Sequence, residues 1–361
     1  MFKLERRPNP SKAMVILTPV LAVILTMIAG GILFAILGKN PFEAIRIIFW
    51  DPLFNDVVAS YTRPQLLIKA SPLIMIALGL SFGYRANIWN IGAEGQFIMG
   101  AISGGAVGLA FYPTESALIF PLMVLAGAVG GFLWAMIPAF LKIKYNANEI
   151  LVSLMLVYIA TNFLGAMVTG PLRSPVGMNF PVSRNFTDYP SAYNGELIAN
   201  TGLHIGVLMT LGAVIVAYIL LKHHIFGFQV RVAGQAPRAA RFSGVNPNIT
   251  IAICLGIGGG LAGMAGLFEA TGPAGKLSTN FPLGYGYTAI IVAFLGRLNP
   301  IGILLAGLLM ALTYIGGELA QFQLQIPAAS IQVFQGMLLF FMLAVDILVT
   351  FRIRLKKKEV A

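Results

Sequence analysis

Long apolar runs, separated by short polar connections, follow one another along most of the chain. A helical run of about 17 residues or more can cross about 30 Å of hydrocarbon. Only helices and closed barrels satisfy their backbone groups in lipid, and a barrel would need short strands of alternating hydrophobicity instead. We therefore predict an all-α integral membrane fold with about ten transmembrane helices. The candidate spans are residues 14–37, 66–84, 97–112, 117–141, 150–169, 203–221, 249–271, 285–295, 301–317 and 330–351.

The composition agrees with a membrane environment. Of the 361 residues, 58% are hydrophobic and 10% are charged, whereas soluble domains have about 25% charged residues. The net charge of +11 comes from basic clusters between the apolar runs, which indicates contact with membrane lipid and not with nucleic acid. Cys254 is the single cysteine of the sequence, so no internal disulfide or CxxC motif is possible.

The lysines and arginines predict the orientation, because cytoplasmic loops are enriched in them. With the N-terminus inside, most of the 24 basic residues fall on the inner side, and both termini are cytoplasmic. The first apolar run is longer than the roughly 7 to 15 residues of a signal-peptide core. It is therefore predicted to be a retained helix behind a cytoplasmic segment, residues 1–13. The long outer loops, residues 38–65 and 170–202, either dock a partner protein or are unattached connectors.

A polar segment, residues 84–96, interrupts two apolar runs. It contains Arg85, Asn87, Asn90, Glu94 and Gln96, and each polar group left unpaired in hydrocarbon costs several kcal/mol. Gly92 and Gly95 release the backbone in the same segment. Such a segment predicts a broken helix or re-entrant turn that lines a cavity, as in transporter substrate sites.

The segment resembles a motif of the permease subunits of bacterial ATP-binding-cassette importers for nucleosides and simple sugars. Ribose and branched-chain amino-acid permeases are more distant relatives. The residues that carry the resemblance are Asn87, Asn90, Ile91, Gly92, Glu94, Gly95 and Gln96, and a second matching stretch is residues 232–246. The resemblance extends from about residue 66 to residue 353, and it implies a single polytopic permease domain in the bacterial plasma membrane.

The resemblance also implies partners: an ATP-binding-cassette ATPase subunit, a second permease subunit in a heterodimer or homodimer, and an extracytoplasmic substrate-binding lipoprotein. The implied solute is a nucleoside, with simple sugars as the alternative, and no cofactor is implied. Asn87, Asn90, Glu94 and Gln96 are the candidate solute ligands, since a carboxylate with carboxamides can bind ribose hydroxyls and base edges. The alternative is that Glu94 pairs with Arg85 and locks the turn.

A second polar break follows the glycine-rich run of residues 256–266. Close helix packing explains most of these glycines. Glu269 stands where the helix must end before Gly272, and Tyr285 follows as part of a candidate aromatic wall. Residues 66–169 and 249–351 share the order of helix, polar break and further helices, which predicts inverted repeats. We therefore add Glu269 and Tyr285 to the candidate solute site.

The cytoplasmic loop, residues 222–248, contains a predicted short helix. Pro237 can open it, Ala239 and Ala240 favour it, and Gly244 can end it. Arg238 and Arg241 are expected to point outward, with Ser243 near the end. The stretch resembles the coupling helix by which such permeases dock on their ATPase. An interfacial helix held by anionic lipid is the alternative.

The chain itself is not predicted to be an enzyme. A phosphate-binding loop at Gly275 and Lys276 would require glycine at Ala270 and a hydroxyl residue at Leu277. No HExxH or other metal motif is present in the sequence. An ion-coupled secondary transporter, with Glu94 or Glu269 as its proton-binding group, is the rival function. The predicted short helix discriminates between the two functions, because a secondary transporter would need no ATPase-docking helix.

Overall fold

The computed structural model describes residues 2–6, 12–178, 180–199 and 201–355. Two strands lie at the ends of the described chain, β1 at Phe2–Arg6 and β2 at Phe351–Leu355. The first seven helices are α1 (Lys12–Ile36), α2 (Pro41–Phe49), α3 (Asp51–Phe54), α4 (Ala59–Arg85), α5 (Ala93–Ala110), α6 (Ile119–Tyr145) and α7 (Glu149–Thr169). The other seven are α8 (Ile205–Lys222), α9 (Ile225–Gln235), α10 (Pro237–Phe242), α11 (Pro247–Thr271), α12 (Tyr285–Leu295), α13 (Pro300–Leu324) and α14 (Ala328–Thr350).

The predicted all-α membrane fold is confirmed. Every candidate span coincides with a helix, namely α1, α4 to α8 and α11 to α14. Eight of the described helices are long and apolar enough to cross a membrane. The remaining two are α12, a shorter apolar helix, and α5, whose first turn carries Glu94 and Gln96. The predicted N-terminal segment, residues 1–13, lies partly outside the described ranges.

The chain forms two compact units, each described by itself. The first contains residues 1–62 and 312–361. Its helices α1 and α14 pack along each other, and a side chain at Gly30 would clash with the Phe334 ring. Strand β1 pairs antiparallel with β2, with Phe2 opposite Leu355. The core of this unit is Phe34, Ala44, Ile47, Ile48, Ala320, Ile326, Ile331 and Phe334.

The second unit, residues 63–311, is built around α11 packed on α5 and α6. At their glycines these helices pack backbone against backbone. A Cβ added at Gly263 would clash with the carbonyl oxygen of Gly127. A Cβ at Gly100 of α5 would likewise clash with Gly263. Small residues allow apolar helices to approach closely where no hydrophobic effect drives them together. The close-packing interpretation of the glycine-rich run is therefore confirmed.

Candidate functional site

Asn87 ends helix α4. Its φ of 58° is left-handed, a conformation that asparagine tolerates better than most residues. The Asn87 N–H donates to the Tyr84 carbonyl at 3.1 Å, and the Ile88 N–H donates to the Gly83 carbonyl at 2.9 Å. These two bonds form a Schellman C-cap. Asn87 is exposed, so the structure places it in the turn and away from the buried residues of the segment.

Asn90 and Gln96 are buried and bind each other. The Asn90 Nδ2 donates to Gln96 Oε1 at 3.1 Å, and Gln96 Nε2 donates to Asn90 Oδ1 at 3.4 Å. Asn90 Oδ1 also accepts from the Gly92 N–H at 2.9 Å. Buried polar groups require such partners. The two carboxamides therefore join the turn after α4 to the first turn of α5.

Glu94 caps a helix from the other half of the chain. Its carboxylate accepts hydrogen bonds from the Gly286 N–H at 2.6 Å and the Gly284 N–H at 2.9 Å, and both groups lie at the start of α12. A negative charge is favourable there, since the first N–H groups of a helix have no intrahelical partner. A Cβ at Gly286 would clash with the Glu94 backbone. The starts of α5 and α12 therefore meet at this carboxylate.

Arg85 binds the opposite end of α12. Its Nη2 and Nε donate to the Leu298 carbonyl oxygen at 2.8 and 3.1 Å. Leu298 follows the end of α12 in a left-handed turn. In the described chain, Arg85 forms no hydrogen bond or ion pair with Glu94. The hypothesis that these two side chains pair is therefore wrong, because each has a backbone partner at one end of α12.

Three aromatic rings lie beside the Arg85 contact. Tyr84 stacks on Phe294 of α12 with ring centroids 5.3 Å apart. Trp89 stacks on the same Phe294 ring at 5.8 Å. Aromatic pairs at such distances are stabilising beyond the area they bury. The segment of residues 84–96 is thus attached to α12 by ring contacts as well as by hydrogen bonds.

Glu269 and Tyr285 are both buried in the second unit. The Lys69 Nζ lies 5.9 Å from the centroid of the Tyr285 ring, and Lys69 also interacts electrostatically with Glu269. The rings of Phe97 on α5 and Tyr285 lie nearly perpendicular, with centroids 6.0 Å apart. Because Tyr285 is adjacent to the Glu94-bound Gly286, the structure places Tyr285 beside Glu94, whereas Glu269 is related to Tyr285 through Lys69.

A buried histidine outside the predicted set lies at the start of α8. The His204 Nδ1 accepts from the Gly206 N–H at 3.1 Å and lies 2.9 Å from Asn194 Nδ2. Since two donors face Nδ1, this nitrogen is the unprotonated one. Burial lowers the pKa of His204 to about 4. Its only sequence signal was its position just before an apolar run, where a side-chain acceptor can cap the helix.

The predicted cytoplasmic stub is helix α10. Pro237 is its first residue, and Gly244 follows it with a left-handed φ of 80°. Ala240 is buried, whereas the other predicted coupling residues are exposed: Pro237, Arg238, Ala239, Arg241, Ser243 and Gly244. Sequence reasoning missed Phe242, which is 95% exposed.

Helix α9, immediately before the stub, touches the segment of residues 84–96. A Cβ at Gly234 would clash with the Arg85 carbonyl oxygen and lie 2.8 Å from the Ala86 carbonyl carbon. The two backbones are therefore in direct contact.

Among the described residues no group of three or more His, Cys, Asp or Glu side chains could hold a metal ion.

The eight potential membrane spans of the described residues, together with two polar breaks whose helices meet, define a polytopic membrane protein of the transporter class. Over residues 63–343 the chain matches a family model described as the permease component of the branched-chain amino acid transport system. The chain belongs to this permease family. The membership favours an importer permease over the ion-coupled alternative.

Curated relatives carry the same class of name. A glucose ABC transporter permease protein of Haloferax volcanii is 32% identical, covering 93% of this chain and 89% of the relative. A guanosine ABC transporter permease protein of Bacillus subtilis is 26% identical, covering 90% and 92%. A nucleoside ABC transporter permease protein of Lactococcus lactis is 27% identical, covering 85% of each chain.

Proposed function

We propose that the chain is the permease subunit of an ATP-binding-cassette importer that takes a nucleoside into the cytoplasm. The observation that carries this proposal is the match of nearly the whole chain to permeases named for guanosine and nucleosides. The glucose permease among the relatives keeps a simple sugar as the alternative solute. Both solute classes present ring hydroxyls, which polar side chains can bind.

Uptake of radiolabelled guanosine into vesicles that contain the complete transporter tests the solute. We expect ATP-dependent uptake that unlabelled nucleosides inhibit and glucose does not. Uptake of glucose without uptake of guanosine would reverse the assignment to the sugar alternative. The purified chain alone should show no ATPase activity, since its sequence has no phosphate-binding loop.

In this proposal α10 docks on the ATPase subunit and transmits its conformational change. The helix carries two exposed cations, Arg238 and Arg241, beside the exposed Phe242 ring. An exposed aromatic flanked by arginine is the composition typical of an interface anchor. The contact of Gly234 with Arg85 connects this region to the segment of residues 84–96.

Two variants test the docking, namely the double substitution of Arg238 and Arg241 by Glu, and Phe242→Ala. We expect each to reduce co-purification of the ATPase at unchanged expression, because exposed substitutions leave no core cavity. Lys222→Glu is the matched control, since this exposed base lies at the end of α8 and outside α10. Unchanged ATPase recovery in both variants would leave lipid attachment as the role of α10.

The outer loop, residues 170–202, is proposed to dock the substrate-binding lipoprotein. It is attached to the loop after α11, because the Ser183 N–H donates to the Leu277 carbonyl and the Phe186 N–H to the Gly275 carbonyl. These bonds argue against an unattached connector. Val176, Met178 and Phe180 are exposed beside a cavity of about 500 Å³. Met178→Asp should weaken capture of the solute-loaded binding protein, and equal capture would exclude this loop.

A further inference from the structure

Three of the polar side chains predicted to bind solute are occupied by the scaffold. Asn90 and Gln96 bind each other, and Glu94 caps α12. A path for a hydrophilic solute needs polar groups that remain accessible at membrane depth. Helix α7 and the first turn of α12 carry such groups.

One face of α7 is an exposed stripe, defined here as Leu151, Met155, Tyr158, Asn162 and Thr169. Spacings of three, four and seven residues place these side chains above one another on the helix. The first two are apolar, whereas Tyr158 and Asn162 are polar. The stripe therefore changes from apolar to polar along its length.

The polar part of the stripe lies in the middle of the helix. Helix α7 has 21 residues, so it is about 31 Å long, and Tyr158 is more than about 13 Å from either end. Tyr158 is 60% exposed, and a tyrosine side chain is too short to reach either end of the helix from there. The Asn162 Nδ2 donates to the Tyr158 carbonyl at 2.8 Å. Within the described residues the Asn162 Oδ1 accepts no hydrogen bond, and an unpaired amide oxygen facing lipid would cost roughly 1 to 3 kcal/mol. A lipid-facing surface would therefore favour an apolar residue here.

The stripe lies at the level of the Glu94 contact. The Ile91 N–H donates to Ser153 Oγ at 3.2 Å, and a Cβ at Gly95 would lie 3.1 Å from the Val157 Cα. The first turn of α5 thus packs on α7 immediately beside Tyr158. In the first turn of α12, Tyr287 is 41% exposed and directly follows Gly286, whose N–H donates to the Glu94 carboxylate.

We propose that Tyr158, Asn162 and Tyr287 line the water-filled path by which the solute crosses the membrane. This inference rests on the proposed importer function and names residues outside the predicted set. Phenol rings can pack on a nucleobase or on the apolar face of a sugar ring, and a carboxamide can bind hydroxyls. The stripe on α7 differs from a lipid-facing surface because it exposes a tyrosine and an asparagine side by side in the middle of the helix.

Cysteine labelling tests the water-filled path independently of the solute. The background is Cys254→Ala, because Cys254 is the one cysteine of the chain and is buried. Into it are placed Tyr158→Cys, Asn162→Cys and Tyr287→Cys, with Ile159→Cys as the matched control. Ile159 is exposed on α7 but points about 100° away from Tyr158.

In the assembled transporter, a charged methanethiosulfonate reagent should modify the three test cysteines about ten times faster than the control, since the reactive thiolate forms in water. Equal, slow reaction at all four positions would overturn the proposal. So would oxidative cross-linking of Tyr158→Cys between two permease copies without labelling, because a partner helix would then cover the stripe. Labelling of the three test cysteines without nucleoside uptake would support the water-filled path and contradict only the proposed solute.

Transport kinetics provide the second test. Asn162→Leu and Tyr287→Phe should each raise the KM for the transported solute about tenfold, the effect of losing one hydrogen bond of roughly 1.4 kcal/mol. Ile159→Leu, which changes an apolar residue on the same helix, should leave KM unchanged. An unchanged KM in both test variants at normal expression would overturn the assignment of these residues to the path.

Discussion

The Arg85 guanidinium donates two hydrogen bonds to the Leu298 carbonyl oxygen, 213 residues later in the chain. Nine residues after Arg85, the Glu94 carboxylate binds the N–H groups at the other end of α12. Helix α12 has 11 residues and is about 16 Å long. One short segment therefore holds both ends of α12, and we expect the segment and the helix to move together.

Arg85→Met should lower the thermal stability of the purified protein. It removes two charge-assisted hydrogen bonds to a carbonyl oxygen, a loss of about 1.5 to 3 kcal/mol in total. The measurement is the midpoint of thermal unfolding in detergent. Arg241→Met makes the same chemical change at an exposed site and should shift stability by less than about 0.5 kcal/mol. Equal midpoints for the two variants would contradict the role assigned to Arg85.

Glu94→Gln should also destabilise the protein. The amide keeps one acceptor oxygen but places an N–H₂ group against one of the two helix N–H donors, at a cost of about 1 to 3 kcal/mol. Thermal unfolding and solute uptake are measured on the same preparations. Glu43→Gln is the control, because Glu43 is an exposed carboxylate in the first turn of α2. If Glu94→Gln abolished uptake at wild-type stability, Glu94 would act on the solute and not on α12.

The stability of the protein should fall in mild acid because of His204. The pKa of its side chain is lowered from 6.5 to about 4 by burial. Between these values the unfolded chain binds more protons than the folded one, so stability decreases as the pH falls from about 6.5 towards 4. The full effect is on the order of 3 kcal/mol. His204→Asn keeps a capping side chain that does not titrate, so the unfolding midpoint of this variant should depend less on pH over this range. A pH profile identical to that of the wild type would exclude His204 as the cause of the acid effect.

The orientation can be tested with two exposed positions. Met178 lies in the predicted outer loop and Phe242 in the predicted cytoplasmic stub, and they are 89% and 95% exposed. In the Cys254→Ala background, a membrane-impermeant maleimide should label Met178→Cys in intact cells. It should label Phe242→Cys only after the membrane is opened. Labelling of both in intact cells would contradict the predicted topology.

The positions of the spans could be predicted from the sequence because hydropathy is a local property. The sequence signal for α10 was equally local, since Pro237 favours the first helical position and Gly244 tolerates a left-handed turn. Helices α2 and α3 were missed because they are short and lie in a loop with several prolines. The strand pair joins residues 2–6 to residues 351–355, and a pairing between residues so far apart in the sequence has no local signal.

The partners of the site residues could not be predicted in this way. The sequence shows that Arg85 and Glu94 are polar groups at membrane depth, and such groups require partners. Their nearest candidates along the chain were each other. The actual partners are backbone groups about 190 to 210 residues away, which no side-chain pattern marks. The exposed polar residues of α7 were likewise hidden, because Tyr158 and Asn162 stand inside a mostly apolar run.

The contact between Gly234 and the end of α4 has a mechanical consequence. Flexible side chains between two helices can absorb a small displacement by changing rotamer. No side chain separates the Gly234 backbone from Arg85 and Ala86. Packed backbones have little room to compress, so a displacement of α9 would be transmitted directly to the end of α4 at Arg85 and Ala86.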